Sequence, residues 1–372
     1  MSDPATSNVP VIPSNVQDIE DTLETQEPTL TVARDQMGDV HMHAAALMKA
    51  VEKLPGGDVV NEMLATSLKL LRDKNNRADL KLINTSIKEL RYALKIFEPY
   101  KDVRKISIFG SARTPEAHAD YQSAVDFSRR IADKGWMVIT GAGGGIMAAG
   151  HGGAGAKPSF GLAIRLPFEQ RTNEFIEGDP KLINFKYFFT RKLMFVRSSH
   201  AIAVFPGGFG TMDEGFEVLT LIQTGKAPML PIVFVDHPGS SFWGDWQEYV
   251  QKQLLGSRLI SPEDLHLYKL AQSVEEAMHE VTHFYNNYHS ARYWRDVLII
   301  RLHRKPSAQQ VDELNRRFGN VLCVRGRIDA VDAALAVEKD EPSISHLPRL
   351  TLEFNRKDHG HLRLMINALN NM

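Results

Sequence analysis

The chain has 372 residues, 43% of them apolar, with 44 basic against 45 acidic side chains and a formal charge of -1. This excludes a disordered chain, supplies core for more than one domain, and gives no global electrostatic reason to expect nucleic acid or an anionic membrane as partner. The single cysteine, Cys323, excludes an internal disulfide and a cysteine-based zinc cluster. With no run of ~20 apolar residues and no signal-peptide pattern, the expectation is a cytoplasmic protein.

In chain order, residues 1–39 are rich in Ser, Thr, Pro and acid with Arg34 the only basic residue, which predicts a disordered acidic tail. Over 40–100, apolar residues such as Val59, Met63, Leu64, Leu68, Ile83, Ile87, Leu90 and Leu94 recur at helical spacing. That pattern predicts a helical extension of two or three amphipathic helices. Over 101–290, short apolar runs alternate with helical stretches, the pattern of βαβ units. The expected fold is α/β, a Rossmann-like doubly wound and mostly parallel sheet. Its strands are expected over 105–109, 136–140, 160–166, 201–205, 230–235 and 266–270. Helices are expected over 115–134, 145–154, 185–198, 211–223, 242–254 and 273–288. The strong loop signals follow strands, so the ligand site is expected at the carboxyl edge of the sheet. Residues 291–372 read as a small α+β module: apolar runs over 297–302, 320–324 and 349–354, helices over 308–318 and at the end, and a loop over 339–348.

Three glycine-rich turns carry the chemistry. In Ile106 to Arg113, ISIFGSAR, Gly110 permits close backbone approach by a ligand and Ser111 adds a hydroxyl. In Thr140 to Met147, TGAGGGIM, Gly143, Gly144 and Gly145 would expose amides to an anion at a helix N-terminus, a natural phosphate site. The same glycines also have a structural reading, close packing of helix on sheet. In Phe205 to Glu214, FPGGFGTMDE, Gly207, Gly208 and Gly210 form another amide-lined turn, and Thr211 is placed to cap the helix or bond a phosphate. Thr211 and Glu214 also fit a capping box. On an ideal helix Glu217 shares the face of Glu214 while Asp213 points about 100° away, making Glu217 the better second carboxylate.

The stretch Phe185 to Arg197, FKYFFTRKLMFVR, is an amphipathic helix whose basic residues include Arg191 and Lys192. Either could meet a phosphate, or both could belong to a solvated face. Fourteen histidines include no metalloprotease spacing, and no metal site is expected. His118, His151, His200 and His237 read as ordinary surface or loop residues.

The set PGGFGTMDE, YFFTRKLMF and TGAGGGIM resembles the Lonely Guy phosphoribohydrolase family, whose members were often labelled lysine decarboxylases. The likeness runs from about Asp58 to Tyr288 and includes LPFEQRTN from Leu166 and LTLIQTGK from Leu219. It implies hydrolysis of the N-glycosidic bond of nucleoside 5'-monophosphates to a free base and ribose 5-phosphate, without metal or organic cofactor. Arg191 and Glu214 fall on the family's catalytic positions. Gly143, Gly145, Gly207, Gly208, Gly210 and Thr211 fall on its phosphate positions, with Gly110, Ser111, Gly144, Lys192 and Glu217 expected to help bind phosphate or ribose. Nothing in the sequence suggests a pyridoxal phosphate site.

The chain departs from the pattern at Ala142, often Gly in relatives, at Ala148, often Glu, at Ala163, often Asn, and at Arg165, commonly acidic or neutral. Gly215 also stands where a larger apolar residue is usual. The overall size is similar to the long bacterial nucleotide nucleosidases. The resemblance further implies a homodimer or higher homo-oligomer, with a nucleotide effector as one role for the flanks. The alternative is a non-catalytic nucleotide or molybdenum-cofactor-type carrier on the same fold. A third reading, an interaction scaffold, predicts no nucleotide binding.

Overall fold

The computed structural model describes residues 34–73, 75–165 and 172–372. The predicted tail over 1–33 and residues 166–171 of the LPFEQRTN segment lie outside the described residues. Two compact units divide the chain, residues 1–89 and 90–372.

The first unit contains α1 (Arg34–Val51), α2 (Gly57–Leu70) and most of α3 (Arg77–Phe97). The helix α1 begins within the stretch predicted as tail, because Arg34 to Asp39 are the opening turns of a run that stays helical to Val51. In the second unit, the end of α3 buries Ala93 and Phe97, and Phe97 stacks on Phe160 at 4.3 Å between ring centres.

The second unit proceeds through β1 (Lys105–Phe109), α4 (Ala119–Asp133), β2 (Met137–Thr140), α5 (Ile146–Ala154), β3 (Ser159–Ile164) and β4 (Leu182–Phe185). It continues with α6 (Phe188–Ser198), β5 (Ala201–Val204), α7 (Phe209–Gln223), β6 (Ile232–Val235), α8 (Phe242–Tyr249), β7 (Lys269–Ala271) and α9 (Val274–His283). Then come β8 (Tyr288–Trp294), β9 (Val297–Leu302), α10 (Ala308–Leu314), β10 (Asp329–Val331), β11 (Arg349–Glu353) and α11 (His359–Asn370).

Among the described residues the first seven strands form one parallel sheet in the order β4-β3-β2-β1-β5-β6-β7. Strands β1, β2, β5 and β6 are buried along their whole length. Helices on both faces exclude water from such strands, which therefore read as continuous apolar runs. The strand order reverses between β1 and β5, and ligands of doubly wound sheets bind in the crevice beyond the carboxyl ends at that point. There Phe205 N–H donates to Phe109 O at 2.8 Å and Ser111 N–H to Pro206 O at 3.1 Å, tying the two following turns together.

The remaining strands form an antiparallel sheet, β10-β11-β9-β8. Its inner residues, including Leu298, Ile300, Leu350 and Leu352, join the same hydrophobic core as the parallel sheet. Where α9 leads into β8, the buried Asn370 side chain accepts from Asn287 N–H (2.9 Å) and Tyr288 N–H (2.8 Å) and donates to Phe284 O (2.6 Å). On β9 and β11, Arg301 and Arg349 are direct cross-strand partners. Their like charges are bridged by the buried Glu338 carboxylate, at 2.8 Å from Arg301 Nε and 2.9 Å from Arg349 Nε.

Several sequence expectations change. The predicted helix over 185–198 begins only at Phe188, since Leu182–Phe185 extends the sheet as β4, and Tyr288 starts a strand rather than ending a helix. The strand β8 contains a bulge between Tyr288 and Ser290 that breaks its alternation. The run over 320–324 holds one helical turn and a bridge from Cys323 to Phe354. His151 is fully buried, with Nε2 3.0 Å from Phe160 O and 3.1 Å from Thr140 Oγ1, so it ties α5 to the sheet rather than facing solvent. Among the described residues no helix is long and apolar enough to cross a membrane.

Candidate active site

Beyond the ends of β1 and β5 lies a cleft of about 920 Å³, lined in part by Gly110, Ser111, Arg191, Gly207, Gly208, Gly210, Thr211 and Glu214. Its volume falls in the range of small-molecule sites, ~300–1,000 Å³. Eight of the predicted site residues therefore meet at one cavity.

Local structure explains each placement. The turn after β5 feeds α7, whose N-cap is Gly208 and which makes no side-chain cap. Thr211 is thus already inside the first turn, and the capping-box reading of Thr211 with Glu214 is not realised. Gly207 is required, because a Cβ there would overlap Thr211 Oγ1 and lie 2.8 Å from Ser111 N. Gly208 and Gly210 have open space where a Cβ would stand. First-turn amides of a helix lack intrahelical partners and favour an anion, so this glycine turn is suited to receive one at the cleft. Farther along α7, Gly215 brings the helix against Phe234, which stands 3.6 Å from the place of a Cβ.

The other glycine turn divides its residues. Gly141 borders the cleft and lets Arg191 Nη2 pass close over it, while a Cβ would also meet Met147 Sδ at 2.6 Å. Gly143 lines a smaller adjoining cavity of about 170 Å³ beside Ala142, Ala163 and Arg191. Gly144 and Gly145 border neither cavity. A Cβ on Gly144 would be 3.3 Å from Ala112 O, and Gly145, at φ 57° and ψ -131°, lies against the Ser111 and Ala112 backbone. The N–H of Ile146 is taken by Ser111 O at 3.0 Å. These two glycines pack against the turn that follows β1 rather than against the cleft. Ala142 adopts φ 63°, a left-handed conformation in which a glycine would be unstrained, and this accounts physically for the glycine noted in relatives.

Arg191 on α6 donates from Nε to Leu162 O at 2.7 Å and stacks over Phe195 with 5.2 Å to the ring centre. Burial pulls its pKa down to about 10, opposed by the field of Glu214. Glu214 is 8% exposed, and its Oε2 is buried with no hydrogen-bond partner. Burial, the largest influence, pushes its pKa up to about 7 against the pull of Lys192 and Arg191, with Glu217 and Asp213 adding to the rise.

Lys192 and Glu217 are placed differently from expectation. Neither borders the cleft; Lys192 Nζ is engaged by Glu217 Oε2 at 2.6 Å and Asp213 Oδ2 at 2.8 Å. Asp213, set aside on ideal helix geometry, does border the cleft. So do Phe109, Arg113, Met147 and Phe188, which sequence reasoning did not select. The glycine signal could have found Gly141, which stands inside TGAGGGIM.

Residues 142–281 match the family model described as "Possible lysine decarboxylase". The segment contains Arg191 and Glu214, and its paired motifs resemble those of the Lonely Guy family. No curated protein matches the chain significantly. Among solved structures, the molybdenum cofactor binding protein of Rippkaea orientalis is 19% identical over 48% of this chain and 96% of its own, with a TM-score of 0.34. The molybdenum cofactor carrier protein of Chlamydomonas reinhardtii gives the same identity, coverage and score. DNA processing protein A of Helicobacter pylori is 14% identical over 47% of this chain and 78% of its own, with a TM-score of 0.34. At this level of likeness, the ligands of those proteins say nothing about those of this chain.

Proposed function

We propose that the domain hydrolyses the N-glycosidic bond of nucleoside 5'-monophosphates, AMP-like or cytokinin nucleotides, to a free base and ribose 5-phosphate. The observation that carries this reading is the buried Glu214 carboxyl, whose Oε2 has no hydrogen-bond partner, in the lining of the cleft with Arg191 and one helical turn beyond the glycine turn. That glycine turn supplies amides and a helix N-terminus for the 5'-phosphate, which fixes the ribose at a set distance along α7. Cleavage sends the C–N electron pair to the base and builds positive charge on the ribose C1' and ring oxygen. The ionised Glu214 stabilises that charge and orients water, whose oxygen bonds to C1' while its proton passes to solvent or the departing base. Arg191, held by Leu162 O and Phe195, balances Glu214 and the phosphate and fixes the pose.

The test is to incubate the protein with purine, pyrimidine and N6-prenylated 5'-monophosphates and with the matching nucleosides, and to measure base and ribose 5-phosphate. Release from monophosphates but not nucleosides, lost in Glu214→Gln, is the expected result. Nucleotide binding by calorimetry with no release from any monophosphate overturns the reading in favour of a non-catalytic carrier.

A further inference from the structure

Lys192 projects from α6 into a group of three carboxylates on the first turns of α7. Its Nζ is 2.6 Å from Glu217 Oε2 and 2.8 Å from Asp213 Oδ2, both hydrogen-bond distances, but 3.8 Å from Glu214 Oε2. The ammonium side chain is 14% exposed. Asp213 and Glu217 thus each give one oxygen to Lys192 in direct contact. The third feels the charge without receiving the bond, and its Oε2 is left buried and unpartnered. Glu214 is also the carboxylate that sits deepest, at 10% side-chain exposure against 34% for Glu217 and 64% for Asp213.

We propose that Lys192 is a positioning residue acting through Glu214: by fastening Asp213 and Glu217 to α6 through direct contacts, it leaves the buried Glu214 as the one carboxylate of the group that feels the ammonium without bonding to it. This inference rests on the hydrolytic reading of the site for its catalytic consequence, and it gives Lys192 a role other than phosphate contact.

The electrostatics agree in sign. The groups facing Glu214 are Lys192 and Arg191 from α6 and Glu217 and Asp213 from its own helix. The two cations favour its ionised form, Lys192 more than Arg191, and the two acids oppose it. Burial works against the Lys192 ammonium, yet hydrogen bonds to Asp213 and Glu217 outweigh it and hold its pKa above the ordinary lysine value. Lys192 therefore stays charged wherever Glu214 titrates. Without it, three acids would face Arg191 alone, and Glu214 would hold its proton to higher pH.

The test compares wild type with Lys192→Met, Lys192→Arg and Asp213→Asn. In each, the Glu214 carboxyl is titrated by 13C NMR in glutamate-labelled protein, with the signal assigned by its loss in Glu214→Gln. Lys192→Met is expected to move the midpoint up by about one pH unit or more, the effect of removing a nearby opposite charge. Lys192→Arg should restore it, and Asp213→Asn should move it down. The acid limb of kcat/KM for a nucleoside monophosphate should follow the same shifts while KM on the plateau changes little. An unmoved midpoint in Lys192→Met refutes the proposal, as does a rise in KM with no shift of the limb, the signature of a phosphate ligand. The NMR titration needs no turnover. A shift seen in a protein that hydrolyses nothing would therefore refute the hydrolase reading and leave Lys192 as the group that sets the charge of Glu214.

Discussion

Replacing Glu214 with Gln should make the folded protein more stable at alkaline pH and not at acid pH. The carboxyl rises from an ordinary 4.5 to about 7 on folding, chiefly by burial. Between those values the folded state holds a proton that the unfolded state has released, so stability falls as pH rises from 4.5 to 7 and then levels off. At about 1.4 kcal/mol for each pH unit, the ionised carboxylate costs the folded state about 3 kcal/mol above pH 7. Glutamine keeps the shape and removes the charge, so the gain should approach that figure at pH 8.5 and vanish near pH 4.5. Urea unfolding followed by tryptophan fluorescence reads it directly, because Trp136, Trp243, Trp246 and Trp294 all lie in the unit of residues 90–372. A Gln variant with the same advantage at both pH values, or with none at pH 8.5, would refute the reasoning.

Other expectations follow from the same geometry. With Glu214 acting as the ionised group, kcat/KM for a monophosphate should rise about tenfold from pH 6 to pH 8 with a midpoint near 7; a flat profile would remove that role. Arg191→Ala should impair nucleotide binding and turnover together, read by calorimetry and steady-state kinetics. Gly207→Ala should lower stability by about 1–3 kcal/mol because its methyl meets Thr211 and Ser111, whereas Gly208→Ala, with open space, should leave the melting temperature nearly unchanged. Glu338→Ala should cost about 3–5 kcal/mol by leaving Arg301 and Arg349 buried and opposed, measured by urea unfolding.

What could be read in the sequence depended on whether the signal was local. KISIF, MVIT, AIAV and IVFV announce themselves as strands because both faces are covered, and the glycine turns after β1 and β5 announce the switch point. LINF in β4 alternates in exposure and sits ahead of a strong helical run, so the helix pattern absorbed it. YHSARYW in β8 carries a bulge and two exposed aromatics, which hide the period of a strand. At the site, Arg191, Glu214 and the glycines after β5 were legible through the motifs. The places of Lys192, Asp213 and Glu217 were not, because they depend on how α6 faces α7, and because the helix begins at Phe209 rather than at Thr211.

The hydrogen bonds of Asn370 set an order on folding. The bend from α9 into β8 is closed by a side chain of the last helix, more than eighty positions downstream. A chain emerging from the ribosome could lay down the whole parallel sheet and both sides of the cleft and still have Asn287 and Tyr288 N–H groups without their acceptor. Those two N–H groups stay unpaired until α11 has docked, so the junction of the two sheets should be completed only after the parallel sheet has formed.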